Sequence, residues 1–160
     1  LNSGECSVGN IGSEQRFEYS ALGDPVNLAS RIEGQSKEYG LDNLIGETTM
    51  LQAGDMKAVE IDLIRVKGKQ IPARLFTLIG AEANTRAEEF AQLRAAQDAM
   101  LAAYRGGDFL AAQAAIDRAM AWAEMFGLAE YYARFTKRVK AMQADPPGPD
   151  WDGVYEAKSK

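Results

Sequence analysis

The chain has 160 residues and a mass of 17.4 kDa, room for one ordinary domain or two small units. Apolar residues make up 46% and charged residues 26%, and 18 Lys and Arg against 23 Asp and Glu leave a net charge of −5. That is a globular balance, and its sign disfavours nonspecific attraction to nucleic acid or an anionic membrane. No His is present, which excludes His-based catalytic triads and His-ligated zinc or haem. Cys6 is the single cysteine, so no internal disulfide can form, and a reducing compartment fits. No apolar run approaches the length of a membrane span, and no signal peptide opens the chain. Leu1 leads directly into strand-like sequence and reads as an internal position of a longer chain.

Composition divides the chain near Gly80. Residues 1–80 hold 10 of the 15 glycines and 5 alanines, whereas residues 81–145 hold 20 alanines. The first part reads as mixed α and β, the second as helix alone. Cys6–Ile11 and Phe17–Leu22 are expected to be strands joined by the polar turn Gly12-Ser13-Glu14-Gln15. Asp24 is expected to cap a helix that opens at Pro25 and runs to Tyr39, with Gly40 as its stop. Val59–Val66 and Ile71–Leu78 read as a hairpin around Lys67-Gly68-Lys69-Gln70.

Three helices are expected in the second part. Arg86–Arg105 carries Phe90, Leu93, Met100 and Tyr104 near one face, and Gly106-Gly107 breaks it. Asp108 can cap the next helix, whose buried stripe is Phe109, Ala112, Ile116, Ala119 and Ala123. After Gly127, Leu128–Met142 brings in Tyr131, Tyr132, Phe135 and Val139. Pro146, Pro147 and Pro149 exclude helix beyond residue 145. Trp151 and Tyr155 then either fold back on apolar surface or belong to an exposed tail.

Few residues suggest chemistry by type and spacing. The glycines of the first part lack the Lys-Ser/Thr of a phosphate loop and the spacing of a dinucleotide turn. Asn27 and Arg31 lie four apart, so both project from one helix face. There an amide and a planar guanidinium either face solvent or meet a sugar and a phosphate. Lys67 and Lys69 either charge an ordinary turn or cradle a polyphosphate. Ser20 has no His to activate it as a nucleophile.

Taken together, these residues fall in a recognisable string. Asn2-Ser3-Gly4-Glu5, Val8-Gly9-Asn10-Ile11-Gly12-Ser13, Arg16–Ser20, Leu22–Glu33 and Val66-Lys67-Gly68-Lys69 resemble the catalytic domain of the class III nucleotidyl cyclases. The resemblance covers residues 1–80, is most specific from Gly23 to Glu33, and is similar to bacterial adenylyl cyclases.

It implies an α+β fold, with residues 1–80 the C-terminal half of a cyclase domain related to the ferredoxin-like fold. The implied reaction is attack of the ribose 3′-oxygen on the α-phosphorus of ATP, giving cyclic AMP and pyrophosphate in cyclic-nucleotide signalling. Arg31 matches the arginine that stabilises charge on the α-phosphate, and Asn27 the asparagine that holds the ribose. Lys67, with Lys69 as second candidate, matches the triphosphate-binding lysine, and Ser20 stands where the purine is read. The Mg2+ or Mn2+ ions of the family are held by aspartates upstream of the Asn-Ser-Gly segment, so none of them is expected in residues 1–160. The resemblance further implies a homodimer, a cytoplasmic catalytic part in a parent that is either free or membrane-anchored, and no activity for this chain alone.

Residues 81–160 carry a second resemblance. Tyr104-Arg105-Gly106-Gly107-Asp108-Phe109, then Ala112, Ile116 and Ala119, is similar to the turn and second helix of a tetratricopeptide repeat. An all-α helical-hairpin module with a Pro-rich tail is therefore expected, open to a protein partner. The alternative reading of the whole is such an interaction module carried on a non-catalytic cyclase remnant.

Overall fold

The computed structural model describes residues 1–13, 16–65 and 71–157, with the side chains of 11–13, 16 and 17 left aside. The chain opens with two antiparallel strands, β1 (Ser7–Ser13) and β2 (Arg16–Leu22), in register from Ser7 opposite Leu22 to Ser13 opposite Arg16. They form a ribbon of their own. Helix α1 (Asp24–Tyr39) follows, then β3 (Ile45–Gly46), α2 (Glu47–Gln52), β4 (Ala58–Arg65) and β5 (Ala73–Leu78). A short α3 (Glu82–Thr85) leads into α4 (Ala87–Arg105), α5 (Phe109–Ala123) and α6 (Ala129–Ala144), and β6 (Tyr155–Glu156) ends the order. The second sheet runs β3-β5-β4-β6, antiparallel except for the parallel β4–β6 pair. Among the described residues no helix is long and apolar enough to cross a membrane.

Helix α1 starts one residue earlier than its sequence suggests. Gly23, not Asp24, is the N-cap, and Asp24 lies in the first turn. The reason is the sharp reversal out of β2: Gly23 takes φ 147°, which an L side chain rarely adopts, so the chain is already helical at Asp24. An acidic residue in the first turn still complements the helix dipole. The far end is as expected, with Gly40 left-handed and its N–H donating to Lys37 O.

Strand β4 is the centre of the molecule. Its pairing with β5 shifts between Glu60 and Asp62, so Ile61 is an inserted residue. Val59, Ile61, Asp62 and Ile64 are all buried. Helix α4 packs on β4, α5 on α4, and α6 on α5 and α1. Ala112, Ala115, Ala119 and Ala123, all fully or nearly buried, let α5 lie close to its neighbours. Asp108 caps α5 as expected, accepting from Ala111 N at 2.9 Å. One core joins Ile32 and Tyr39 of α1, Val59, Ile64 and Leu75 of the sheet, and Leu93, Met100, Ile116, Phe135 and Val139 of the helices.

The tail folds back. Trp151 stands edge-on to Tyr104 with ring centroids 5.8 Å apart. Tyr155 pairs with Ile64 in β6, and Arg65 binds Asp152 at 2.8 Å and Glu156 at 2.5 Å. Residues 41–57, where no element was predicted, hold β3 and α2; their apolar pattern is too short to show a period.

Candidate functional site

The start of α1 is held by the segment that precedes β1. Asn2 Nδ2 donates to Pro25 O at 3.1 Å, and Ser3 and Thr49 share a hydroxyl hydrogen bond of 3.0 Å. A Cβ on Gly4 would stand 2.4 Å from the Pro25 ring, so only glycine lets the segment pass there. A Cβ on Gly23 would meet Cys6 Cα at 3.4 Å. Asn27 N closes the first turn on Gly23 O at 3.2 Å. The Asn-Ser-Gly segment thus fixes where the N-terminal turn of α1 points.

Asn27 and Arg31 emerge together on an exposed face of α1. Ser20 is exposed on β2, opposite Gly9, on the strand that feeds the helix. An open hollow of about 480 Å3 is lined by Glu5, Cys6, Ser7, Leu22 and Gly23 and includes none of Ser20, Asn27 and Arg31. Lys67 and Lys69 lie outside the described residues. Among the described residues no three His, Cys, Asp or Glu side chains form a group that could hold a metal ion.

A larger cleft, of about 680 Å3, opens at the other end of α1, against α6 and β6. Its lining includes Glu38, Tyr39, Arg134, Arg138 and Tyr155 but none of Ser20, Asn27 and Arg31. In the wall of this cleft is a cluster that sequence reasoning missed. Asp62, 0% exposed, accepts Tyr39 OH at 2.5 Å on Oδ2 and Leu63 N at 2.8 Å on Oδ1. Oδ2 also pairs with the Arg138 guanidinium of α6. That guanidinium is 3.5 Å from the Tyr155 ring centroid, 4.8 Å from Phe135 and 5.3 Å from Tyr39.

Burial, and then the carboxylate of Asp62, push the Tyr39 hydroxyl well above its ordinary range. Burial works against the Arg138 charge, but Asp62 and Tyr39 outweigh it and hold the guanidinium protonated. A signal was present: Arg138 stands seven residues after Tyr131 and next to Val139, on the buried side of α6.

Two more side chains from the helices reach the β4 bulge. Gln97 Nε2 donates to Glu60 O at 2.7 Å and to Tyr131 OH at 2.8 Å, and Tyr131 OH donates to Ile61 O at 2.8 Å. A bulge disturbs the ladder, and these side chains take up carbonyls at that place.

No family model matches the chain. It is 33% identical over 81 residues to adenylate cyclase 1 of Rhizobium meliloti (strain 1021), covering 50% of this chain and 12% of that protein. It is 40% identical over 86 residues to the terminal-differentiation specific adenylate cyclase of Dictyostelium discoideum, covering 51% of this chain and 4% of that protein. The crystal structure of the adenylyl cyclase CyaB from P. aeruginosa matches with a TM-score of 0.42 and 31% identity, over 50% of this chain and 40% of that one. Relatives named adenylate cyclase therefore match about half of this chain, and the chain spans a small part of their length.

Proposed function

We propose that the chain is the substrate-holding half of an adenylyl cyclase catalytic domain, extended by a helical layer. The observation that carries this is the exposed pair Asn27 and Arg31 on a helix whose first turn is clamped by Asn2, Gly4 and Gly23, in a chain 33–40% identical over about half its length to two proteins named adenylate cyclase. In this reading the ribose 3′-oxygen attacks the α-phosphorus of ATP and gives up its proton to solvent. The bond to the β-phosphate oxygen breaks, and pyrophosphate leaves. Asn27 holds the ribose by a hydrogen bond. Arg31 neutralises charge that builds on the α-phosphate, where a permanently charged planar donor is most effective. Ser20 faces the base, and Lys67 with Lys69 binds the triphosphate.

Among the described residues no three His, Cys, Asp or Glu side chains form a group for the divalent metal ions of this chemistry. We read the chain as inactive alone and active within a longer protein that supplies the acidic half, as the family resemblance implies. Val8 and Tyr19, exposed on one face of the ribbon, support a dimer in which a second copy covers that face. In the active protein Arg31→Ala is expected to lower kcat about a hundredfold or more with a smaller change in KM. A change confined to KM makes Arg31 a ground-state anchor and removes the role assigned to it.

A second reading, an interaction module on a non-catalytic scaffold, has one observation in its favour. Leu110 and Met120 of α5 are exposed on the outside of the helical layer. Cyclic AMP formation by the longer protein, lost on Arg31→Ala, decides against it.

A further inference from the structure

Helix α1 is anchored in the core by only two fully buried side chains, Ile32 and Tyr39. Tyr39 is its last residue, and its hydroxyl ends on Asp62 of β4. Asp62 is also the partner of Arg138 from α6, and Tyr155 of β6 covers the guanidinium. Three elements, α1, β4 and α6, thus meet on one buried carboxylate, and a fourth, β6, covers its cation. Helix α6 touches the end of α1 a second time: Arg134 NH1 donates to Glu38 O at 3.4 Å, and a Cβ on Gly40 would meet Glu130 at 2.6 Å. The helical layer therefore seats the C-terminal end of α1, while the Asn2–Gly4 segment seats its N-terminal end.

We infer that Arg138 is a positioning residue: by neutralising and orienting Asp62 it holds Tyr39, and through Tyr39 it sets the pose of the helix that carries Asn27 and Arg31. The last step rests on the cyclase reading; the anchoring of α1 does not. An α-helix is a stiff rod rising about 1.5 Å per residue, so Arg31, eight residues from Tyr39, lies about 12 Å from the anchor. Movement of the anchored end is carried along the rod. Misplacement of about 1 Å at a reacting centre can cost on the order of a hundredfold in rate. Without Arg138, Asp62 is either a buried charge with no counterion or a protonated acid, and in both states the carboxyl group that Tyr39 donates to loses the cation that orients it. Residues 81–145 then do more than cover the sheet. They complete the support of a site borne by residues 20–31.

The test has two arms. In the 160-residue chain, hydrogen exchange of α1 amides is compared between the native protein, Arg138→Met and Arg138→Lys. Arg138→Met is expected to speed exchange in residues 26–39 tenfold or more while α4 and α5 keep their protection. Arg138→Lys, which keeps a cation for Asp62, is expected to restore part of it. Unchanged exchange in α1, or equal loosening of α1, α4 and α5, overturns the inference. In the active longer protein, Arg138→Met is expected to lower kcat at least tenfold with KM within about twofold, and Arg118→Ala, on the exposed face of α5, to change neither. An unaffected kcat with a loosened α1 also overturns the positioning role. A wild-type longer protein without cyclase activity sinks the functional reading alone, and the exchange arm then decides the anchoring by itself.

Discussion

In the β1–β2 ribbon Val8 is 55% exposed, Tyr19 76% and Leu22 56%, whereas in β4 Val59, Ile61 and Ile64 are at 1% or less. Both regions are antiparallel strand pairs of similar strand length, with apolar and polar residues mixed along them. The difference lies in what covers them. Strand β4 has α4 and α6 across its face, and those helices bring Gln97, Tyr131 and Arg138 to the carbonyls and carboxylate that the bulge displays. Among the described residues the ribbon strands pair only with each other, and two strands alone have no second layer to bury a face. Burial here follows from the presence of a cover with matching polar groups, more than from the strand's own composition. The same contrast separates the two roles proposed for the molecule: exposed groups on α1 and the ribbon for ligand and partner, buried ones along β4 for support.

The sharpest way to break this contrast is at Asp62. Asp62→Ala leaves the largely buried Arg138 without a counterion and is expected to cost about 3–5 kcal/mol, read from urea unfolding. Replacing both partners together, Asp62→Leu with Arg138→Met, should recover much of the loss. A cost under about 1 kcal/mol for the single change would mean that the β4 contacts do not hold the layers together.

Next in size is Tyr131→Phe, which removes the hydroxyl between Gln97 and Ile61 O. About 1–3 kcal/mol is expected, because a buried carbonyl and a buried amide both lose a partner.

A smaller effect concerns alkaline pH. Burial pushes Tyr104 up to about 12 and raises Tyr132 further, while an unfolded tyrosine titrates near 10. Both pKa values are raised by folding, so the contribution is complete below about pH 10 and is lost as pH rises through 12. The Tyr104 hydroxyl is buried near the Arg138 guanidinium and makes no well-formed hydrogen bond among the described residues. Tyr104→Phe should therefore leave stability at pH 7 nearly unchanged and flatten the decline above pH 10, as measured by unfolding at a series of pH values. A parallel decline in the variant would remove Tyr104 from the account.

The smallest effect belongs to the ribbon. Tyr19→Ser is expected to change unfolding free energy by no more than about 0.5 kcal/mol at low protein concentration. A loss that grows as the protein is concentrated would instead show a second copy seated on that surface, and would sharpen the comparison by supplying the missing cover.

Much of the molecule was legible from neighbouring residues alone. Pro25 and Gly40 bound α1, Asp108 caps α5, and Gly106-Gly107 and Gly127 separate the long helices, because such signals act within a single turn of chain. The shared face of Asn27 and Arg31 followed from their spacing once the helix was recognised. Even there one local detail depended on context: Gly23 rather than Asp24 caps α1, since the reversal out of β2 takes a φ suited to glycine.

Other features could be decided only by packing. The two-residue strands β3 and β6 exist through their pairing with β5 and β4. The insertion at Ile61 is defined by the register of a partner strand. Asp62 and Arg138 are 76 residues apart, and neither explains the other until α6 lies over β4. An acidic residue in a strand looks like a solvent-facing position when read along the chain. It becomes a buried anchor because a cation from α6 and a tyrosine hydroxyl from α1 join the amide of its neighbour Leu63, and the free energy of burying its charge depends on all three being there at once.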